Sequence, residues 1–174
     1  MAFDFEIKES EHVSGVFLIS HSSYADERGE IWTSYQDGIV PNKTLGELRF
    51  SHDKFVWNNR NVLRGLHGDQ KSFKLVSCPY GKVFQVAADC RPNSSTYGKY
   101  HAFEMSRKSR TCLLLPPGVA NGFLVLSTEA LYHYKLAYPD SYLDYNKQFT
   151  VKYYDKLFSI PWPVKDPIVS SRDT

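Results

Sequence analysis

Phe73-Lys74-Leu75-Val76-Ser77-Cys78, then Pro79-Tyr80-Gly81, then Lys82-Val83-Phe84 and the apolar residues up to position 89, form the stretch that decides the fold class. Two short apolar runs joined by a Pro/Gly punctuation read as two strands and a tight turn rather than one helix. Aromatic residues make up 15% of the chain, and they recur in short alternating runs of the same kind, which favours strands. Strands are expected near 15–20, 30–35, 48–57, 60–66, 73–78, 82–89, 100–106, 111–115, 122–127, 130–138 and 148–153. Turn signals stand between them at Asp26-Glu27-Arg28-Gly29, Pro92-Asn93-Ser94 and Pro116-Pro117-Gly118. A short helical piece is expected around Lys43–Glu47, and another near the C-terminus.

Many strands at regular spacing, with no linker, repeat or low-complexity segment, predict one all-β domain over residues 1–174, a sandwich or barrel. Jelly rolls of the cupin type (double-stranded β-helix) have this rhythm, and a small-molecule site would sit in their mouth. At 174 residues the chain can bury a good core without staples. The net charge of +2, with acids and bases interspersed, gives no basic stripe for nucleic acid. No segment approaches the roughly 20 apolar residues that span a bilayer, and the acidic N-terminus does not read as a signal peptide. A soluble cytoplasmic protein is expected. Cys78, Cys90 and Cys112 are odd in number and far apart, so buried free thiols are expected rather than disulfides or metal ligands.

Asn61-Val62-Leu63-Arg64-Gly65-Leu66-His67 is the run richest in chemistry. Strict alternation would send Arg64 and His67 to opposite faces, whereas a bulge at Gly65 would swing both into one cavity. A fixed cation beside a group that takes and gives a proton near neutral pH suits an anionic substrate and proton transfer. The plain alternative is a surface arginine and a hydrogen-bonded histidine at a strand end.

Lys74 shares a strand face with Val76 and Cys78. A lysine aimed inward is costly unless it meets a partner, which would mark a site; otherwise Lys74 reaches solvent from the strand end. In Leu131-Tyr132-His133-Tyr134-Lys135-Leu136, parity puts Tyr132, Tyr134 and Leu136 on the more apolar face and His133 with Lys135 on the other. The inward group is then a tyrosine, a phenol able to protonate a carbanion or simply to pack in the core. A metal centre is not expected. His67 is followed by Gly68-Asp69 instead of making a His-x-His pair, and the turn before Gly122-Phe123 carries Asn121 instead of another imidazole.

The ordered set Asp26-Glu27-Arg28-Gly29, Asn61 to His67, Lys74-Leu75-Val76, Gly81-Lys82-Val83-Phe84, Asp89-Cys90-Arg91, Pro116-Pro117-Gly118, Asn121-Gly122-Phe123, Tyr134-Lys135, Ile160-Pro161-Trp162-Pro163 and Ser171-Arg172-Asp173 resembles the dTDP-4-dehydrorhamnose 3,5-epimerase family over nearly the whole chain. Within it, the chain looks most like the bacterial capsular branch that acts on GDP-linked 4-keto-heptoses and carries Gly-Asp after the active histidine. The resemblance implies a homodimeric jelly roll, with no metal or organic cofactor, that epimerises a nucleotide-linked 4-keto sugar. Two subunits would pair at an exposed strand edge.

By the same resemblance His67 would be the base next to the ketone, and Tyr134 would return a proton from the opposite face. Asp173 would hold His67, Lys74 would sit near the C4 carbonyl oxygen, and Arg28 and Arg64 would bind the diphosphate or sugar. Arg172 falls with the substrate-binding residues. The family's usual histidine is Asn121 here. A family glutamate is Thr33, and a family Gln-x-Asn is His52-Asp53-Lys54. Those positions touch nucleotide or sugar, so thymine is not implied and the GDP-heptose branch is.

The residue types suit the reaction. A proton alpha to a ketone is removable because the charge delocalises onto oxygen, and a cation aimed there stabilises it. Inversion needs acid and base on opposite sides of the ring, with arginines clamping the diphosphate. A 3,4-ketoisomerase would reuse this logic to move the carbonyl, and a non-catalytic sugar-binding jelly roll would leave the alpha protons alone. Solvent deuterium separates the three.

Overall fold

The computed structural model describes residues 4–40, 42–142 and 144–174. Among them thirteen strands form: β1 (Phe5–Glu9), β2 (Phe17–His21), β3 (Ser23–Asp26), β4 (Gly29–Trp32), β5 (Phe50–Asn59), β6 (Leu63–Gly68), β7 (Phe73–Tyr80), β8 (Lys82–Asp89), β9 (Tyr100–Ser106), β10 (Thr111–Leu115), β11 (Val119–Val125), β12 (Glu129–Ala137) and β13 (Phe149–Thr150). A four-residue helix, Asn42–Leu45, and a 3-10 turn, Tyr145–Lys147, complete the inventory. No helix among the described residues is long and apolar enough to cross a membrane.

The strands make a six-stranded sheet, β1-β2-β10-β7-β12-β5, facing a five-stranded one, β13-β6-β11-β8-β9, with β3 and β4 a separate hairpin. Every pairing between these strands is antiparallel. The two sheets stay open rather than closing into a barrel, which is the jelly-roll arrangement expected. Between them Val76, Leu113, Leu115 and Tyr132 of one sheet meet Val83, Ala87, Phe123 and Val125 of the other. The Phe123 and Tyr132 rings stack across the gap with centroids 3.9 Å apart.

Alternate residues of the same strands pack outward. Leu75, Cys112 and Leu114 join Ile19, Ile39 and Val40 behind the six-stranded sheet. Leu66, Val86, Ala88 and Ala120 pack under Phe158 and Ile160 of the C-terminal segment. Burial on both faces explains why β7, β8, β10 and β11 read as continuous apolar runs.

Several expectations are corrected. β1 and β3 form where no strand was expected, and β11 starts three residues early, directly after the left-handed Gly118 (φ 80°). The C-terminal helix is absent: no helix follows Lys147 among the described residues. Pro161, Pro163 and Pro167 remove the N–H groups a helix there would need. All three cysteines are free, but Cys90 is only partly buried.

Candidate active site

The site begins with a miscount between two strands. β6 and β11 pair Asn121 with His67 but Phe123 with Arg64, so Gly65 and Leu66 together oppose the single residue Gly122. This is a bulge. Gly65 holds φ 118°, and a Cβ there would lie 2.6 Å from the Asn121 carbonyl oxygen and from Gly122 Cα, so only glycine fits. The extra residue turns Arg64 and His67 into one cavity of about 410 Å³ between the sheets.

The opposite wall comes from the six-stranded sheet. Lys54 and Val56 of β5, Lys74 of β7 and Tyr134 and Leu136 of β12 line it, while Asn121 of β11 and Ser170–Asp173 of the tail close the remainder. Parity on β12 holds: Tyr134 faces this cavity, whereas His133 and Lys135 hydrogen-bond Asp53 on the outer face.

His67 Nε2 lies 2.5 Å from Asp173 Oδ1, and Asp173 Oδ2 accepts from Ser170 Oγ at 2.8 Å. Burial pushes the Asp173 carboxyl up, but hydrogen bonds from His67 and Ser170 and the charges of His67 and Arg172 outweigh it, so its pKa is lowered. An ionised carboxylate only accepts, so Nε2 carries the proton and Nδ1 keeps the basic lone pair.

Lys74 is 6% exposed and its Nζ donates to the His67 carbonyl at 3.2 Å. Desolvation lowers its pKa to about 8; Asp69 opposes this, and Arg172 and Lys54 add to it. Burial raises the pKa of Tyr134, with Arg64 and a hydrogen bond from Asn121 pulling the other way. Arg64 Nε donates to Asn58 Oδ1 at 2.6 Å, and Arg172 donates to Thr150 Oγ1 and the Gln148 carbonyl. Four cations, Lys54, Arg64, Lys74 and Arg172, therefore border a space whose acids are Asp69 and Asp173. Such a rim suits a polyanion at one end and proton chemistry at the other.

Three expected residues stand apart. Arg28 lies at the tip of the β3–β4 hairpin with its side chain 81% exposed, paired with Asp26 at 2.5 Å. The two form a self-satisfied turn, because Asp26 Oδ1 also accepts the Arg28 N–H. Thr33 follows the same hairpin, outside the lining of the cavity. His52 is also outside the lining, but its ring meets Tyr142 edge-on at 4.8 Å, and Tyr142 does line it.

Sequence reasoning missed Tyr142, which accepts from Lys54 Nζ at 2.5 Å, and the fully buried Gln85. Asp69 Oδ2 and Ser72 Oγ, both in residues of the cavity wall, are buried without a hydrogen-bond partner. Among the described residues no group of three or more His, Cys, Asp or Glu side chains is placed to hold a metal ion.

A family model described as dTDP-4-dehydrorhamnose 3,5-epimerase matches residues 10–174. The dTDP-4-dehydrorhamnose 3,5-epimerase of Shigella flexneri is 32% identical over 164 residues, covering 92% of this chain and 89% of its own. That of Methanothermobacter thermautotrophicus is 35% identical over 169 residues, covering 92% and 88%. Among solved structures, the dTDP-6-deoxy-D-glucose-3,5-epimerase of Legionella pneumophila Philadelphia 1, in complex with dTDP-4-keto-L-rhamnose, superposes with a TM-score of 0.88 at 32% identity, covering 98% of this chain and 90% of that one. The chain belongs to the dTDP-4-dehydrorhamnose 3,5-epimerase family and is an isomerase of the carbohydrate-epimerase kind.

Proposed function

We propose that the protein inverts C3 of a nucleotide-linked 4-keto sugar, with C5 as the second candidate centre, using no cofactor. The observation that carries this reading is the presence of the His67–Asp173 pair, Tyr134 and Lys74 in one cavity. His67 Nδ1 takes the proton from C3, and the electron pair moves onto O4 as an enolate. The Lys74 ammonium stabilises that oxygen. Tyr134 then gives its proton to the opposite face of C3, and the ketone re-forms. His67 releases its proton to water and Tyr134 recovers one, so nothing is consumed. Arg64, Arg172 and Lys54 hold the diphosphate and nucleotide side, with His52 backing Tyr142 and Asn121 facing the sugar.

The finer reading is a GDP-4-keto-heptose substrate, used in the cytoplasm for capsular or surface polysaccharide. Its support is the set of departures at Thr33, His52-Asp53-Lys54, Gly68-Asp69 and Asn121. A homodimer belongs to the same proposal. Phe55 and Trp57 on the edge strand β5 and Tyr80 are each more than half exposed. They stack as Phe55 on His133 and Trp57 on Tyr80, an apolar strip suited to a second copy. In that dimer Arg28 and Thr33, which lie outside their own cavity, would serve the partner's.

Incubation with GDP- and dTDP-linked 4-keto sugars in deuterated water tests this. We expect label at C3 with the ketone still at C4, and faster turnover of the GDP sugar. A ketone moved to C3 would mean an isomerase of the other kind, and unlabelled alpha carbons with both sugars would reduce the protein to a binder.

A further inference from the structure

Asn121 sits on β11 directly opposite His67 of β6, and its side chain lines the cavity that Tyr134 also lines. What its amide shows that cavity is fixed from behind. The Val86 carbonyl can only accept, so the Gln85 side-chain atom 3.0 Å from it is the donor Nε2. The same Nε2 donates to Asn121 at 2.8 Å, so Asn121 must present Oδ1 on that side. Gln85 Oε1 takes the Tyr132 hydroxyl proton at 2.5 Å, leaving that hydroxyl only a longer 3.3 Å contact with Asn121 Oδ1. Gln85 and Tyr132 are both fully buried. One backbone carbonyl thus sets the direction of two amides in series, and the end of Asn121 left over is its N–H donor end.

We propose that Gln85 is a positioning residue for epimerisation: by fixing the Asn121 amide it holds an N–H donor beside the Tyr134 oxygen, where it stabilises that oxygen after its proton has gone to carbon. This rests on Tyr134 being the acid, as argued above. Hydrogen bonding by Asn121 lowers the Tyr134 pKa against its burial, in the same sense. An imidazole in the place of Asn121 could alternate between donor and acceptor, whereas an amide held this way is a donor at every pH.

Gln85→Met keeps the length of the side chain and loses its polarity. We expect kcat for inversion to fall about tenfold or more, with KM within about twofold and deuterium exchange at C3 continuing. In a Tyr134→Phe background the same change should add almost nothing. Exchange and inversion falling together, or an undiminished effect without the Tyr134 hydroxyl, would overturn the proposal. Should Gln85→Met not fold, the pair Asn121→Ala and Asn121→Asp decides. With its inner oxygen still held by Gln85, Asn121→Asp turns an acceptor toward Tyr134 and should invert more slowly than Asn121→Ala. Equal or faster inversion would overturn the proposal. Failure of the underlying reading looks different: the unmodified protein would exchange no alpha proton of any 4-keto nucleotide sugar, and the inference would fall with it.

Discussion

His67 and Asp173 are 106 residues apart in the chain, yet Nε2 of one lies 2.5 Å from Oδ1 of the other. The carboxylate is 3% exposed. The tail is docked by its own chemistry: Ser170 caps the Asp173 carboxylate through its hydroxyl and accepts the Asp173 N–H.

Deleting residues 171–174 should therefore lower kcat by at least about tenfold, because His67 loses control of its tautomer. Asp173→Asn should show the same loss with the tail still in place. Steady-state rates of both variants at one pH check this, and unchanged kcat would detach the tail from catalysis.

The rate should fall on the alkaline side. Lys74, with its pKa lowered to about 8, carries its ammonium below that pH and loses it above. A pH profile of kcat should show a descending limb near 8. Lys74→Arg should push the limb out of range, and Lys74→Met should cost about 100-fold or more at pH 7, the scale of one lost oxyanion partner.

The same burial has an opposite effect on stability. The unfolded chain keeps the ordinary Lys74 pKa of 10.5, so between about 8 and 10.5 it binds more protons than the folded one. Stability contributed by this residue therefore rises with pH across that window. At pH 7 the buried charge costs roughly 3 kcal/mol, and Lys74→Met should raise Tm there, with a smaller gain at pH 10. Thermal melts at the two pH values measure it.

On the proposed mechanism, Tyr134→Phe removes one proton donor and leaves the base. Deuterium should still enter C3 while inversion falls, so that label and stereochemistry part company in the product. Proton spectra of the recovered sugar read both, and equal loss of the two would assign the acid elsewhere.

The homodimer predicts complementation. Light scattering should give twice the 20.0 kDa of one chain. If Arg28 serves the partner's cavity, mixing Arg28→Ala with His67→Asn should restore about a quarter of the original activity, from the half of the dimers that carry one complete site. No recovery on mixing would leave Arg28 without a role across the interface.

Strands bounded by strong turns were legible almost to the residue. β8, β9 and β10 keep the bounds read from sequence because Gly81, the Pro92 loop and Pro116-Pro117 delimit them chemically. Parity placed Tyr134 inward on β12 for the same local reason. β1 alternates Phe5 and Ile7 with Glu6 and Lys8, but the signal is short and charge-rich, and on this outer edge only Phe5 is even partly buried. The bulge was legible only as a question, since Gly65 suggests a kink while the register that makes one depends on β11. Gln85 reads as an ordinary polar residue in an apolar strand; its importance arises from Tyr132 and Asn121, which lie 47 and 36 positions away.

A slip of one position between β6 and β11 separates a catalyst from an inert sandwich here. Were the two strands to pair regularly from Arg64 onward, Leu66 would stand opposite Asn121, and His67 would stand opposite Ala120 on the face packed under Phe158. The proposed base would then swing out of reach of the proposed acid.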